Sequence, residues 1–132
     1  MKTIKKFLCI SILWVVACQL PHKKEVFTER ELNIIPRPQS LILSKGSFRF
    51  TKETVFVTAP ELYPVTNSFV EQYEKATGFR MFFRKAAIQT SHILLSLDKS
   101  LPKEGYTLVV KPDKISITAA DYNGALYALE TL

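Results

Sequence analysis

Cysteine is nearly missing from this 132-residue chain: there are two, Cys9 and Cys18, both close to the N-terminus. Beyond them no thiol remains for a disulfide, a metal or a nucleophile, so an exported form of the chain must rely on its core. Glycine is sparse too. Gly46, Gly78, Gly105 and Gly124 are scattered, and none belongs to a phosphate-cradling loop. Of two histidines only His92 lies in the body, which leaves no zinc spacing and no Ser-His-Asp set. The twelve acidic residues include no adjacent pair, and none sits in an apolar, pocket-like context suited to paired-carboxylate catalysis. On its own residues the chain is non-catalytic, and no cofactor or metal is expected.

Long hydrophobic runs are also absent, with one informative near-exception. "MKTIKKFLCISILWVVACQ" opens with Lys2, Lys5 and Lys6 and continues as an apolar run from Phe7 to Ala17. As a helix that run rises about 16 Å, short of the roughly 30 Å hydrocarbon core. It has the shape of a secretory signal, residues 1–17, rather than a membrane span. Val15-Val16-Ala17-Cys18 resembles a bacterial lipobox, in which the Cys after the cleavage site receives lipid. The alternative is an ordinary signal peptide that happens to hold a Cys near its end. The first reading makes Cys18 the lipidation site and the protein an exported, membrane-anchored lipoprotein.

Charge follows from that. Removing residues 1–17 takes three Lys, so Lys+Arg falls from 18 to 15 against 12 Asp+Glu, and the net charge falls from +6 to +3. The basic balance is partly a targeting feature, and nucleic-acid binding loses its main support. Residues 18–32 are polar and charged and read as a lipidated tether; Lys23 and Lys24 could instead touch acidic lipid.

The remainder, residues 33–132, reads as one domain. Pro36 and Pro38 bar a continuous ladder in "NIIPRPQSLIL", so a strand is expected only at about Ser40–Leu43. "KGSFRFTKETVFVTA" alternates, with Phe48 and Phe50 sharing a face, then Val55 and Val57, and Thr51-Lys52-Glu53 turning between two strands. From Pro60 the period changes: Leu62, Val65, Phe69, Tyr73 and Ala76 form one helical stripe, and Gly78 stands where a C-cap wants positive φ. "FRMFFRK" and "SHILLSLD" are further strands. The last stretch pairs Tyr106, Leu108 and Val110 with Ile115, Ile117 and Ala119 across a turn at Pro112-Asp113. Asp121 then caps a second helix whose apolar face is Ala125, Leu126, Leu129 and Leu132. Three features have both a functional and an ordinary reading. Tyr73 could stack on a ligand, or pack in the core. His92 could be a ligand, or a surface or edge residue. Arg80, Arg84 and Lys85 could meet an acidic partner, or be a solvated strand end. The ordinary reading is preferred each time.

The fold class is therefore α/β of the α+β type: a single sheet of about 5–7 mostly antiparallel strands with two helices on one face.

Two stretches carry a resemblance. Ile35-Pro36-Arg37-Pro38 followed by Gly46-Ser47-Phe48, and Glu104-Gly105-Tyr106-Thr107-Leu108 followed by Ile115 to Ala119 and the helix from Gly124 to Leu132, occur in order over residues 33–132. Together they resemble the N-terminal α/β domain that precedes the catalytic barrel of family 20 glycoside hydrolases, the β-N-acetylhexosaminidases. The resemblance implies an exo-acting, retaining hydrolase of terminal N-acetylhexosamine that needs no cofactor. In that family the substrate's acetamido oxygen attacks the anomeric carbon, a Glu is the general acid, and the adjacent Asp orients the acetamide. Those residues belong to the barrel, and no Asp-Glu dipeptide occurs here, so no catalytic residue carries over. The implied partner is the (β/α)8 barrel, absent from this chain, against which the apolar helix faces would pack. Two alternatives stand beside it: the front of a family 84 O-GlcNAc hydrolase or hyaluronidase, or a stand-alone surface lipoprotein that binds glycan or protein.

Overall fold

The computed structural model describes residues 32, 34, 37–86 and 91–132; the signal-like run, Cys18 and most of the tether lie outside them. Five strands and two helices follow in order: β1 Val55–Thr58, α1 Tyr63–Thr77, β2 Phe82–Phe83, β3 His92–Leu97, β4 Tyr106–Val110, β5 Lys114–Ala119 and α2 Tyr122–Glu130. A single 3-10 turn, Pro60–Leu62, feeds α1.

The sheet order is β2-β1-β3-β5-β4. Its strands are mostly parallel, not mostly antiparallel as the alternating patterns suggested. β1 runs parallel to β2 and β3, β3 runs parallel to β5, and only β4–β5 is antiparallel. Connectivity is the reason. Antiparallel neighbours can be joined by a tight turn, whereas parallel ones need a crossover. The β4–β5 connection is such a turn, closed by Lys111 N–H donating to Lys114 O at 2.8 Å. The β1-to-β2 connection is helix α1, and β5 reaches β3 only after β4 has turned back outside it.

Cross-strand registration sorts the side chains by face. Phe56, Ile93 and Ile115 align, as do Leu95 and Ile117, and Leu97 and Ala119. This face, with Tyr106 and Leu108 from β4, meets both helices, so the two-helices-on-one-face expectation holds. Phe56, Ile93, Leu95, Ile115 and Ile117 are fully buried there with Leu62, Val65 and Val70 of the α1 side and Ala125, Ala128 and Leu129 of α2. Burying each large aliphatic contributes about 1.5–3 kcal/mol. The opposite face is more polar. Ser96 and Thr118 sit side by side on it, their hydroxyls 3.2 Å apart.

Helix α1 ends as its sequence requires: Gly78 has φ 81° and its N–H donates to Glu74 O at 2.8 Å. The stripe is shifted from the expected one. Thr66 and Val70 are fully buried, whereas Ala76, in the last turn, is exposed. Thr66 is tolerated inside because its hydroxyl is hydrogen-bonded to Leu62 O at 2.8 Å and lies 3.1 Å from the Thr58 hydroxyl.

Ser40–Leu43 is not a strand, and neither is the Phe48–Phe50 stretch. Neither takes part in a ladder. Phe48 and Phe50 still point at the core, their rings 5.2 Å apart, and Phe50 reaches Tyr73 at 5.5 Å. Alternation there records which side meets the core, not a hydrogen-bonded neighbour. The expected turn between them and β1 is present, with Thr54 N–H donating to Thr51 O at 3.0 Å.

Candidate functional site

Of the residues with two readings, Tyr73 takes the ordinary one and Arg84 and Lys85 are exposed, whereas His92 is neither at a sheet edge nor fully at the surface: β3 is the central strand. Tyr73 is packed among Phe50, Phe69 and Phe79, with ring centroids 5.5, 6.2 and 5.5 Å away, and is a core aromatic rather than a stacking platform. Arg80 reaches Glu74 at 2.9 Å and Asn67 at 3.4 Å along the exposed side of α1. Arg84 and Lys85 are exposed just beyond β2. His92 starts β3, half-buried on the polar face, in register with Lys114. Among the described residues no group of His, Cys, Asp or Glu could hold a metal ion.

What the fold does assemble is a junction at the end of the sheet where β4 starts and β5 stops. Asp121 caps α2, its Oδ1 accepting from Gly124 N–H at 2.9 Å. Its Oδ2 accepts from Glu104 N–H, also at 2.9 Å. These two N–H groups, Gly124 first and Glu104 second, hold the carboxyl below its ordinary value of 3.8. Glu104 itself has φ 62°, a left-handed conformation that non-glycine residues seldom take, and its Oε1 accepts from Asn123 at 3.2 Å. Ala120 N–H donates to Gly105 O at 2.9 Å.

Gly124 is the tight point. A Cβ on it would lie 2.5 Å from Gly105 O, so α2 can cross this loop only with glycine there. At the other end of α2, the Tyr106 hydroxyl lies 2.9 Å from that of Thr131. The two separate motifs Glu104-Gly105-Tyr106 and Asp121-to-Gly124 are thus one lock between helix and sheet. The cap was readable from sequence. That the same carboxylate also fastens the Glu104 turn was not, because the partners are 17 residues apart.

The helices' apolar stripes are mostly spent on their own sheet and on each other, with Leu132 left 37% exposed, so little of them is available to a barrel as the resemblance suggested. Left outward are Tyr63 on α1 and Tyr122 and Tyr127 on α2, each more than 40% exposed. Elsewhere, Asp98 is bound to Ser100 and Asp113 stands in the hairpin turn.

Comparison with known proteins places the chain in a family. Residues 31–132 match the family model for glycosyl hydrolase family 20, domain 2. The whole chain aligns with a β-hexosaminidase of Porphyromonas gingivalis at 29% identity, but covers only 18% of it. A crystal structure of a family 20 exo-β-N-acetylglucosaminidase from Vibrio harveyi superposes with a TM-score of 0.63 at 21% identity, over 73% of this chain and 15% of that one. A Flavobacterium johnsoniae chitobiase gives 0.56 at 25% identity, over 80% and 18%. The chain therefore spans under a fifth of the length of these relatives. It belongs to glycosyl hydrolase family 20, as the accessory domain 2 of that family.

Proposed function

We propose that this chain serves a β-N-acetylhexosaminidase as its non-catalytic domain and hydrolyses nothing alone. The supporting observation is the domain 2 match over residues 31–132, made by a segment that fills 18% of a β-hexosaminidase. In this reading a (β/α)8 barrel outside this chain removes terminal, non-reducing N-acetylhexosamine residues. The barrel supplies the general acid and the acetamide-orienting carboxylate. The domain supplies a rigid wall, packing through the outward side of its helices at Tyr63, Tyr122 and Tyr127. Those rings are suited to it: large, rigid and half-exposed, they are the side chains that dominate protein contacts.

Cleavage after Ala17 and lipid on Cys18 would hold the assembly at a membrane surface of the cell envelope. Cys18→Ser is expected to move the protein from the membrane fraction to the soluble one and to abolish labelling by a fatty-acid precursor. Labelling that persists in that variant would remove the anchor from the account.

The enzymatic proposal is tested with a chromogenic aryl N-acetylglucosaminide. The purified chain is expected to release no chromophore above the uncatalysed rate. Release that scales with chain concentration and survives repurification would overturn the non-catalytic assignment.

A further inference from the structure

The chain holds a single Asn-Gly dipeptide, Asn123-Gly124, and the fold places it inside the junction between α2 and the Glu104 turn. Asparagine is a thermolabile residue. Its side-chain amide is lost most readily before glycine, where no Cβ hinders the approach of the following backbone nitrogen. That loss requires the Gly124 nitrogen to give up its proton and to reach Cγ of Asn123.

The lock opposes both. Gly124 N–H donates to Asp121 Oδ1 at 2.9 Å, so a carboxylate holds the proton, and its charge disfavours an anion on that nitrogen. Asn123 Nδ2 donates to Glu104 Oε1 at 3.2 Å, which ties the amide to the neighbouring turn. Both residues are helical, and ring closure turns the peptide between them out of helical geometry. Gly124 has no room for that turn, since even a Cβ on it would lie 2.5 Å from Gly105 O. Burial is not the protection, because Asn123 itself is exposed to water.

We infer that Asn123 is a deamidation site gated by this lock, inert while the lock is closed and reactive when the first turn of α2 opens. In the open state hydroxide takes the Gly124 N–H proton and the nitrogen bonds to Asn123 Cγ. The side-chain nitrogen, reprotonated by water, leaves as ammonia and regenerates the hydroxide. The product is a cyclic imide. Water then cleaves one of its ring C–N bonds: cleavage at Cγ gives aspartate, and cleavage at the main-chain carbonyl gives isoaspartate. The balance is one water consumed and one ammonia released, with no oxidant or reductant.

Either product resists reclosure. A carboxylate at position 123 meets Glu104 Oε1 where an amide donor stood. A negative charge near the start of a helix is favourable and offsets part of that repulsion. It does nothing for isoaspartate, which adds a carbon to the main chain within the first turn of α2. Modified chains therefore accumulate in the open form.

Peptide mapping by mass reads the exchange of amide for carboxylate at Asn123. The full chain in mildly alkaline buffer is expected to convert at least about tenfold more slowly than the same chain in concentrated urea. In the native buffer Asp121→Ala, still melting cooperatively, is expected to convert about tenfold faster than the parent. Isoaspartate methyltransferase should methylate its product at position 123, and should leave that position unmethylated in Asn123→Gln. Glu104→Gly suits the left-handed backbone there, keeps the bond from Gly124 to Asp121 and frees only the amide. It is expected to convert faster than the parent, and it carries the test if Asp121→Ala does not fold. A parent that converts as fast in native buffer as in urea, or not at all in urea, would overturn the proposal. Folded variants that convert no faster than the parent would overturn it too.

Discussion

At Gly124 two effects of opposite sign meet. Gly124→Ala in a helix interior ordinarily stabilises by up to about 1 kcal/mol. Here the added Cβ would stand 2.5 Å from Gly105 O, a backbone atom that cannot swing away. Overpacking of that kind costs about 1–3 kcal/mol, so the clash wins. The variant is expected to lose about 2 kcal/mol of unfolding free energy in a urea titration. A more stable Gly124→Ala variant would mean that α2 does not cross the loop this closely.

Asp121 tests the same junction by charge. Its folded carboxyl is held below 3.8 by the N–H groups of Gly124 and Glu104, and that of Asp98 is held down by the Ser100 hydroxyl and N–H. A depressed carboxyl contributes stability that is present above its unfolded value, near pH 4, and is lost as pH falls through the folded value beneath it. The melting temperature should therefore drop on acidification from about pH 5 to about pH 2. Asp121→Ala should lower it by roughly 5 °C at neutral pH and flatten that acid limb. An unchanged pH profile in the variant would show that the two N–H groups do not depend on this carboxylate.

At the scale of elements, the sheet core is the supporting structure. Ile117 is fully buried and registers with Leu95 on one side and Leu108 on the other. Ile117→Ala is expected to cost about 2–5 kcal/mol, measured by the shift in urea midpoint. A cost below about 1 kcal/mol would place it outside the packed core. This scale also shows what the sequence made legible. The β4–β5 pairing, Tyr106 with Ala119, Leu108 with Ile117 and Val110 with Ile115, is the one read from alternation and the Pro112-Asp113 turn. Those signals are local, as are the Gly78 and Asp121 caps. Strand direction in the remainder is not local. The same alternating residues in β1 and β3 suit either direction, and only the passage through α1 decides it. The Ser40–Leu43 segment misled for a related reason. Its apolar residues suit a strand, yet Ile42 is 87% exposed and the segment has no ladder.

For the molecule as a whole, the absences noted first carry the most weight. Residues 33–132 hold one histidine and no cysteine, and no two acidic residues of the chain are adjacent. The structure accounts for several of the groups it does have: Asp121 and Glu104 in the lock, Asp98 in a turn and Glu74 in an ion pair. What the sequence alone could not decide was which side of the helices is left for a partner. Both stripes were visible, but the sheet and the opposing helix consume most of them, and the outward aromatics emerge only once the packing is known.

The central claim is that these outward aromatics dock a catalytic barrel. The most direct measurement is calorimetric titration of the chain with the barrel portion of a family 20 enzyme, repeated with Tyr63→Ala and Tyr127→Ala. The account predicts saturable one-to-one binding with a negative heat-capacity change, weakened at least tenfold in the double variant while its melting temperature stays near that of the parent. Binding unaffected by both substitutions, or no binding by a chain that melts cooperatively on its own, would contradict it.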